Sequence, residues 1–167
     1  MENNIVDTVV SVRRVTKVTK GGKRFTFSAF VVSGDKKGKI GFASGKSREV
    51  SSAIAKATAR ARKKMMSIPL RGATITYPVM GKQGASKVLL RSASKGTGVI
   101  AGGAVRAIME ALGVKDILAK SLGSANQQNV AKAALNALAK LRTPGHLAKL
   151  RGKTVEELVR GSNVSAK

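Results

Sequence analysis

The sequence has no cysteine, no tryptophan, a single histidine and few acidic residues. The lack of cysteine excludes disulfides and thiolate metal sites, and His146 cannot assemble a metal site without carboxylate help. A hydrolase would need a histidine, an acid and an oxyanion hole held together, whereas the 8 acidic residues are scattered along the chain. These shortages predict a protein that is not an enzyme and that uses no metal and no cofactor.

Long apolar stretches are also missing. No run approaches the roughly 18 apolar residues of a membrane-spanning helix, and no amphipathic segment carries Trp or Phe for insertion into a bilayer surface. The first residues, MENNIVDTVV, lack the basic and apolar regions of a secretion signal. We therefore expect no membrane partner and a cytoplasmic location.

Positive charge is what the chain has in excess. Lys and Arg number 32 against 8 Asp and Glu, which gives a formal net charge of +24. So much repulsion within a small protein favours a polyanionic partner, and nucleic acid binds such surfaces with release of counterions. Apolar residues fall in periodic segments, unlike those of a disordered basic tail. The composition therefore predicts a folded nucleic-acid-binding protein.

The first half of the sequence predicts three strands and a helix over residues 5–68. A β-branched segment from Ile5 to Lys20 is followed by a turn at Gly21-Gly22 and by alternating apolar residues after it. A second turn at 34–38 precedes a short strand at 39–43. From Ser47 apolar residues recur every three or four positions, at Val50, Ile54, Ala57, Ala61 and Met65. This spacing predicts an amphipathic helix that stops before Pro69.

The second half predicts an α+β domain over residues 69–160, followed by a polar tail at 161–167. Strands are expected at 74–78 and 87–91, with a turn at 81–84 between them. A glycine-rich link leads to a helix from Val105 to Leu112, closed by Gly113, and then to an extended segment at 114–122. Ser124 and Gln127 resemble a capping box for a third helix that ends at 143–145. Thr154 and Glu157 predict a last short helix.

Two segments imitate nucleotide-binding motifs. The segment from Gly41 to Ser47 resembles a phosphate-binding P-loop, but it has three residues instead of four between its first glycine and the Gly-Lys-Ser. Its ordinary interpretation is a helix start, where Lys46 and Arg48 would contact an RNA phosphate. Gly96, Gly98 and Asp116 imitate a dinucleotide fingerprint, but too little chain follows for a Rossmann sheet. We expect no small-molecule substrate.

The basic hairpin around Gly21-Gly22 gives a more specific signal. Six cations surround the two glycines, and no acid lies between Asp7 and Asp35: Arg13, Arg14, Lys17, Lys20, Lys23 and Arg24. The predicted helix adds Lys56 and Arg60 on its polar face. This pattern predicts contact with RNA phosphates rather than a merely solvated surface. The four Phe residues are assigned mostly to the core, so base stacking is not expected.

Two long segments, RRVTKVTKGGKRFTFSAFVVSGDKKGKIGFASGKSREV and SKGTGVIAGGAVRAIMEALGVKDILAKSLGSAN, resemble the S5 family of ribosomal proteins of the small subunit. The resemblance extends from about Asp7 to Val159. It implies an N-terminal βββα domain similar to double-stranded-RNA-binding domains and a C-terminal βαβα domain with a left-handed crossover. It implies a structural role in the small ribosomal subunit, without self-association into homo-oligomers.

The resemblance also implies particular contacts. The family's RNA-contacting hairpin corresponds to Arg14, Thr16, Lys17, Lys20, Gly21, Gly22 and Lys23 of this chain. Gly98 and Arg106 match positions near a contact with protein S4 that tunes decoding accuracy, and S8 is the other expected protein neighbour. Two alternatives are a small nucleotide-binding enzyme and a free double-stranded-RNA-binding regulator, which would sediment apart from ribosomes.

Overall fold

The computed structural model describes residues 5–160, which form two four-stranded sheets and five helices. The strands are β1 Val6–Thr19, β2 Gly22–Gly34, β3 Lys39–Ser47, β4 Met66–Ser67, β5 Val79–Gln83, β6 Ser86–Ser92, β7 Val99–Ile100 and β8 Ile117–Gly123. The helices are α1 Val50–Lys63, α2 Gly103–Leu112, α3 Gln127–Leu138, α4 Pro144–Arg151 and α5 Val155–Arg160. The predicted mixed α+β class is confirmed, while the predicted tail at 161–167 lies outside the described residues.

The first sheet is antiparallel, in the order β1-β2-β3-β4, and α1 packs on one of its faces. The buried side of α1 consists of Ala53, Ala57 and Ala61, whereas Val50 of the predicted apolar stripe is 37% exposed. Gly41 and Gly45 of β3 lie against this alanine side, with so little space that a side chain at either position would overlap the helix backbone. The small residues let α1 rest directly on the strand.

Two local predictions for this sheet were wrong at their boundaries. The hairpin turn is Lys20-Gly21 rather than Gly21-Gly22, because Gly22 already pairs with Thr19 and has a φ of +124°, which favours glycine. β3 continues to Ser47, so the segment predicted to start the helix is strand. Pairing with β2 keeps it extended, and the unpredicted β4 pairs with the opposite end of β3.

The second sheet has the order β5-β6-β8-β7 and mixes antiparallel pairs with one parallel pair, β7 and β8, which α2 connects. The hand of that crossover stays a prediction. The predicted strand at 74–78 was wrong, since only an isolated bridge between Arg71 and Thr74 forms there. β5 instead contains Gly81, which was interpreted as a turn residue but lies against the backbone of α3 at Ala133 and Ala137.

Some of the predicted helix ends are confirmed and others were wrong. Gly113 closes α2 with a φ of +91°, and Thr154 and Glu157 cap α5 reciprocally at 3.0 and 3.3 Å, both as predicted. Asn126, not Ser124, caps α3 through its side chain. The segment at 143–145 does not merely end a helix. Thr143 and Pro144 start α4, a position that proline favours.

One continuous core joins the two halves of the described chain. Phe30, Val32 and Ile40 of the first sheet share a buried cluster with Ile108 and Leu112 of α2 and with residues of β8 and α3. The turn between β2 and β3 also bonds the end of α2, from Lys36 N to Ala111 O at 3.0 Å and from Gly38 N to Leu112 O at 3.1 Å. The first sheet is therefore fixed to the second by α2, while the domain boundary at 68/69 stays a prediction.

We predict that Gly81→Ala destabilises the protein by about 1–3 kcal/mol, because the added methyl group overlaps the α3 backbone at Ala133 and Ala137. Chemical denaturation checks this value. Gly145→Ala is the matched control, since a side chain there meets no atom within 4 Å and Gly145 lies in helix α4. Equal stability of the two variants would contradict direct packing of α3 on β5.

Candidate nucleic-acid interface

The β1–β2 hairpin projects beyond the rest of its sheet. The last β2 residue that pairs with β3 is Phe27, opposite Ser47, while β1 and β2 continue to pair as far as Thr19 and Gly22. At about 3.3 Å per residue, the five β2 residues from Gly22 to Thr26 extend the hairpin by roughly 16 Å. Along that length one edge of β2 has no strand partner among residues 5–160. The tip residues Lys20, Gly21, Gly22 and Lys23 are all exposed.

Register places four predicted cations on one face of the first sheet. Lys17 lies directly opposite Arg24, and both Arg13 and Lys46 lie opposite Ser28. Because side chains alternate along strands, all four cations occupy the face away from α1. All four are exposed. The structure therefore groups residues from three strands that lie up to 33 positions apart, from Arg13 to Lys46, into one basic surface.

Two neighbouring depressions extend this surface toward α1. The first, of about 650 Å³, is lined by Val15, Thr16, Lys17, Arg24, Phe25, Thr26, Lys46 and Arg48. The second shares Lys46 and Arg48 and adds Lys56 of α1, with Glu49 on its wall. The two depressions thus bring together six of the residues predicted to contact RNA: Thr16, Lys17, Arg24, Lys46, Arg48 and Lys56. Lys46 reaches the site from a strand and not from a helix N-terminus.

Two residues predicted to contact RNA, Arg60 and Arg14, lie outside the two depressions and make contacts within the protein. Arg60 donates from Nη1 to the carbonyl oxygen of Ser44 at 3.3 Å, which ties α1 to β3. Arg14 lies on the α1 side of the hairpin, where its guanidinium carbon is 4.9 Å from the centroid of the Phe25 ring. Both side chains are exposed, but neither lines the two depressions.

The cations of this surface form no ion pairs with acidic side chains of the described residues. Among residues 5–160 the ion pair that forms is that of Arg62 with Asp7, at the opposite end of β1 from the hairpin tip. Burial raises the pKa of Asp7, but hydrogen bonding and the charge of Arg62 outweigh it and hold that pKa below its usual value. The charge of the hairpin cations is therefore available to an external anion.

The imitation P-loop has no phosphate-binding shape. Gly41, Gly45 and Ser47 all lie within β3 and pair with β2. The amides of an extended strand point alternately to its two edges, so they cannot converge on one phosphate as those of a P-loop do.

In the segment that imitates a dinucleotide motif, the carboxylate of Asp116 takes the place that a ligand phosphate would have. Gly96 N and Gly98 N both donate to Oδ1 of Asp116 at 3.0 Å, and Asp116 is only 5% exposed. Those amides are the groups that would otherwise meet a pyrophosphate. The glycines are instead part of a folded loop that a buried carboxylate holds in place.

Gly98 and Arg106, the predicted protein-contact residues, lie at this loop. Gly98 has a φ of +77°, which a side chain would strain, and Arg106 donates from Nη2 to the carbonyl oxygen of Val99 at 2.9 Å. Arg106 remains exposed at the start of α2. The loop from Ser94 to Val99 and the first turn of α2 therefore form one surface, fixed from below by Asp116.

The described part of the chain has neither a metal-binding cluster nor a membrane-spanning helix. Between residues 5 and 160 no three His, Cys, Asp or Glu side chains are grouped to hold a metal ion. His146 lies 3.1 Å from Nη1 of Arg142. None of the helices in that range combines the length and the apolar character required to cross a bilayer.

Sequence reasoning missed Phe25. It was assigned with the other Phe residues to the core, yet it is 49% exposed at the basic depression, whereas Phe30 is buried. The sequence around Phe25 gives no signal of this exposure, because it depends on where β3 ends, and β3 pairs with β2 only as far as Phe27.

Comparison with known proteins agrees with these features. Residues 5–69 match the family described as "Ribosomal protein S5, N-terminal domain", and residues 81–151 match "Ribosomal protein S5, C-terminal domain". The chain is 53% identical over 155 residues to "Small ribosomal subunit protein uS5" of Lawsonia intracellularis, covering 93% of this chain and 95% of that protein. The proteins of the same name from Legionella pneumophila and Nitrosococcus oceani are 54% and 50% identical, over 92% and 95% of this chain and 91% and 94% of theirs. Two matched domains and identity near one half over almost the full length show that the chain belongs to the ribosomal protein S5 family.

Proposed function

We propose that this protein is a structural constituent of the small ribosomal subunit and that its hairpin holds small-subunit ribosomal RNA in position. The observation that carries the proposal is the exposed basic face at Arg13, Lys17, Arg24 and Lys46, with which no acidic side chain among the described residues forms an ion pair. Family membership supports a structural role and not an enzymatic one.

The mechanism is neutralisation of phosphates by a rigid arm. Phosphate contacts position a protein on nucleic acid without reading its sequence, which suits side chains spread along three strands. The arm is held at its base by the packing of α1 on β3 and by the shared core. RNA segments that meet the tip and the depressions are then kept at a fixed separation.

We assign the protein contacts to two surfaces of the second half. The loop at Gly98 with Arg106 supports a contact with S4 and a role in decoding accuracy, because it is an exposed and internally fixed surface. The face of the second sheet that α3 does not cover supports a contact with S8. Its exposed apolar side chains alternate with lysines and are Met80 (46% exposed), Ile100 (53%), Leu118 (38%) and Leu122 (43%).

Replacing Lys20, Lys23 and Arg24 by Ala is expected to weaken binding to small-subunit ribosomal RNA and to make its salt dependence shallower. The slope should fall by about one unit for each phosphate that is no longer neutralised, that is, by up to about three units. Filter binding at several salt concentrations measures both quantities.

The control removes the same charge elsewhere. Lys132, Lys149 and Arg151 are exposed on α3 and α4, away from the hairpin. Their replacement by Ala should change the slope much less. Equal slopes for the two triple variants would show that only net charge matters and would reject the hairpin as the RNA-binding arm.

Arg106→Leu is expected to change the frequency of misreading while RNA binding survives, because Arg106 lies outside the basic hairpin surface. Asp116→Ala should act in the same assay, since it releases the amides of Gly96 and Gly98. A reporter for misreading in cells and filter binding of the purified variants separate the two effects. Normal error rates in both variants would refute the accuracy role.

Sucrose-gradient sedimentation of a cell lysate tests the proposal as a whole. We expect the protein in the small-subunit and ribosome fractions and not in the free fraction. A free regulator of double-stranded RNA would stay near the top of the gradient and bind generic duplexes with equal affinity.

A further inference from the structure

We propose that the depression beside Phe25 binds one unpaired nucleotide of the RNA, with its base stacked on the Phe25 ring and its phosphate held by the surrounding cations. The inference rests on the proposed function, because it specifies one contact within the RNA-binding hairpin. It adds a base contact to a surface otherwise described only by phosphate contacts.

The exposure of Phe25 is the first observation. The ring is 49% exposed, while Phe30 in the same strand is 2% exposed and Phe42 packs edge-on against Phe30 at 6.0 Å. Phe25 lies two residues beyond the last β2–β3 pair, so no β3 residue lies beside it. Leaving a large aromatic surface in water contributes nothing to folding, but it provides a platform for a base.

Arg14 fixes this platform from behind. Its guanidinium carbon lies 4.9 Å from the ring centroid, a distance typical of a cation–π contact. Arg14 is not among the residues that line the depression, so it covers the ring from outside. The contact limits rotation of the ring and thereby lowers the entropy cost when a base stacks on it.

The depression also has the charge and size for a nucleotide. It follows the partnerless edge of β2, and Lys17, Arg24, Lys46 and Arg48 line it without any carboxylate. Its volume of about 650 Å³ lies within the range of clefts that hold small organic ligands. The Phe25 ring lies on the α1 face of this edge, and Lys17, Arg24 and Lys46 lie on the opposite face. The depression therefore presents an aromatic ring and cations on the two sides of one strand edge, which is complementary to a base joined to a phosphate.

The nucleotide must be unpaired. In an A-form duplex the faces of the bases are covered by their neighbours, so an aromatic side chain stacks only on bases in loops, bulges or junctions. Every base has a π-face of this kind. The site therefore selects an extruded nucleotide over a paired one, without strong preference among the four bases.

Phe25→Leu tests the inference in the full-length protein. We expect its affinity for small-subunit ribosomal RNA to fall about fivefold or more, since stacking on one aromatic ring contributes that much. The salt slope should stay the same, because the cations that meet phosphates are all retained. An eight-residue oligouridylate should show the same weakening, whereas a 16-base-pair RNA duplex should bind both proteins alike.

Phe25→Trp and Val18→Ala are the matched variants. Trp keeps an aromatic face and should retain wild-type affinity. Val18 is 70% exposed on the same hairpin but does not line the depression, so its truncation should have no effect. Melting temperatures of all three variants, measured in parallel, should equal that of the wild type within a few degrees, because Phe25 is half exposed and Val18 is 70% exposed.

The outcomes separate this inference from the function on which it rests. Unchanged affinity of Phe25→Leu, or an equal weakening in Phe25→Trp, would overturn base stacking. A shallower salt slope in Phe25→Leu would also overturn it, since the variant would then act through displaced cations. Each of these results leaves the hairpin as an RNA-binding arm if the Lys20, Lys23 and Arg24 triple variant still flattens the slope.

Discussion

The fold depends on helices that rest directly on strand glycines. Ala53, Ala57 and Ala61 of α1 lie on Gly41 and Gly45 of β3, and α3 lies in the same way on Gly81 of β5. Small residues on both sides bring backbones close and gain dense packing from side chains of little volume. This packing opposes the self-repulsion of a chain with a formal charge of +24. It also holds the base of the hairpin, so the far end of the hairpin can extend without support.

The apolar core and the cluster of exposed cations lie in different parts of the described chain, and this arrangement couples folding to binding. The apolar cluster runs from Phe30 through α2 to α3, while the uncompensated cations gather where β1 and β2 leave the sheet. The ion pair of Asp7 with Arg62 lies at the base of β1, where it ties that strand to α1. A bound polyanion relieves the repulsion at the hairpin only in the folded state, since only folding aligns the four cations of that face. RNA binding is therefore expected to stabilise the fold itself.

Periodicity predicted the order of most elements from sequence, because alternation and 3.6-residue spacing are local properties. It predicted the hairpin, α1, α2 and the reciprocal cap of α5, and it identified the exposed cations of the site. It failed at residues whose surroundings are formed by backbone from a distant part of the sequence. Gly81 and Gly45 have the signature of a turn and of a helix start, but pairing with neighbouring strands keeps them extended, and α3 and α1 pack closely on them. Phe25 was misassigned for a related reason, since its exposure depends on where β3 ends, which no pattern around residue 25 encodes.

The two imitation nucleotide motifs differ from the phosphate sites of nucleotide-binding enzymes. Nucleotide-binding enzymes surround a phosphate with converging backbone amides, which suit one small anion. In this chain β3 is extended through the first motif, and Asp116 accepts the bonds of Gly96 and Gly98 in the second. In the proposed function, phosphate recognition falls instead to long, exposed side chains on a projecting arm. Such side chains adapt to many phosphates spaced along a large polyanion. The strand pairing of β3 and the hydrogen bonds of Asp116 thus leave the exposed side chains of the hairpin as the groups suited to bind RNA.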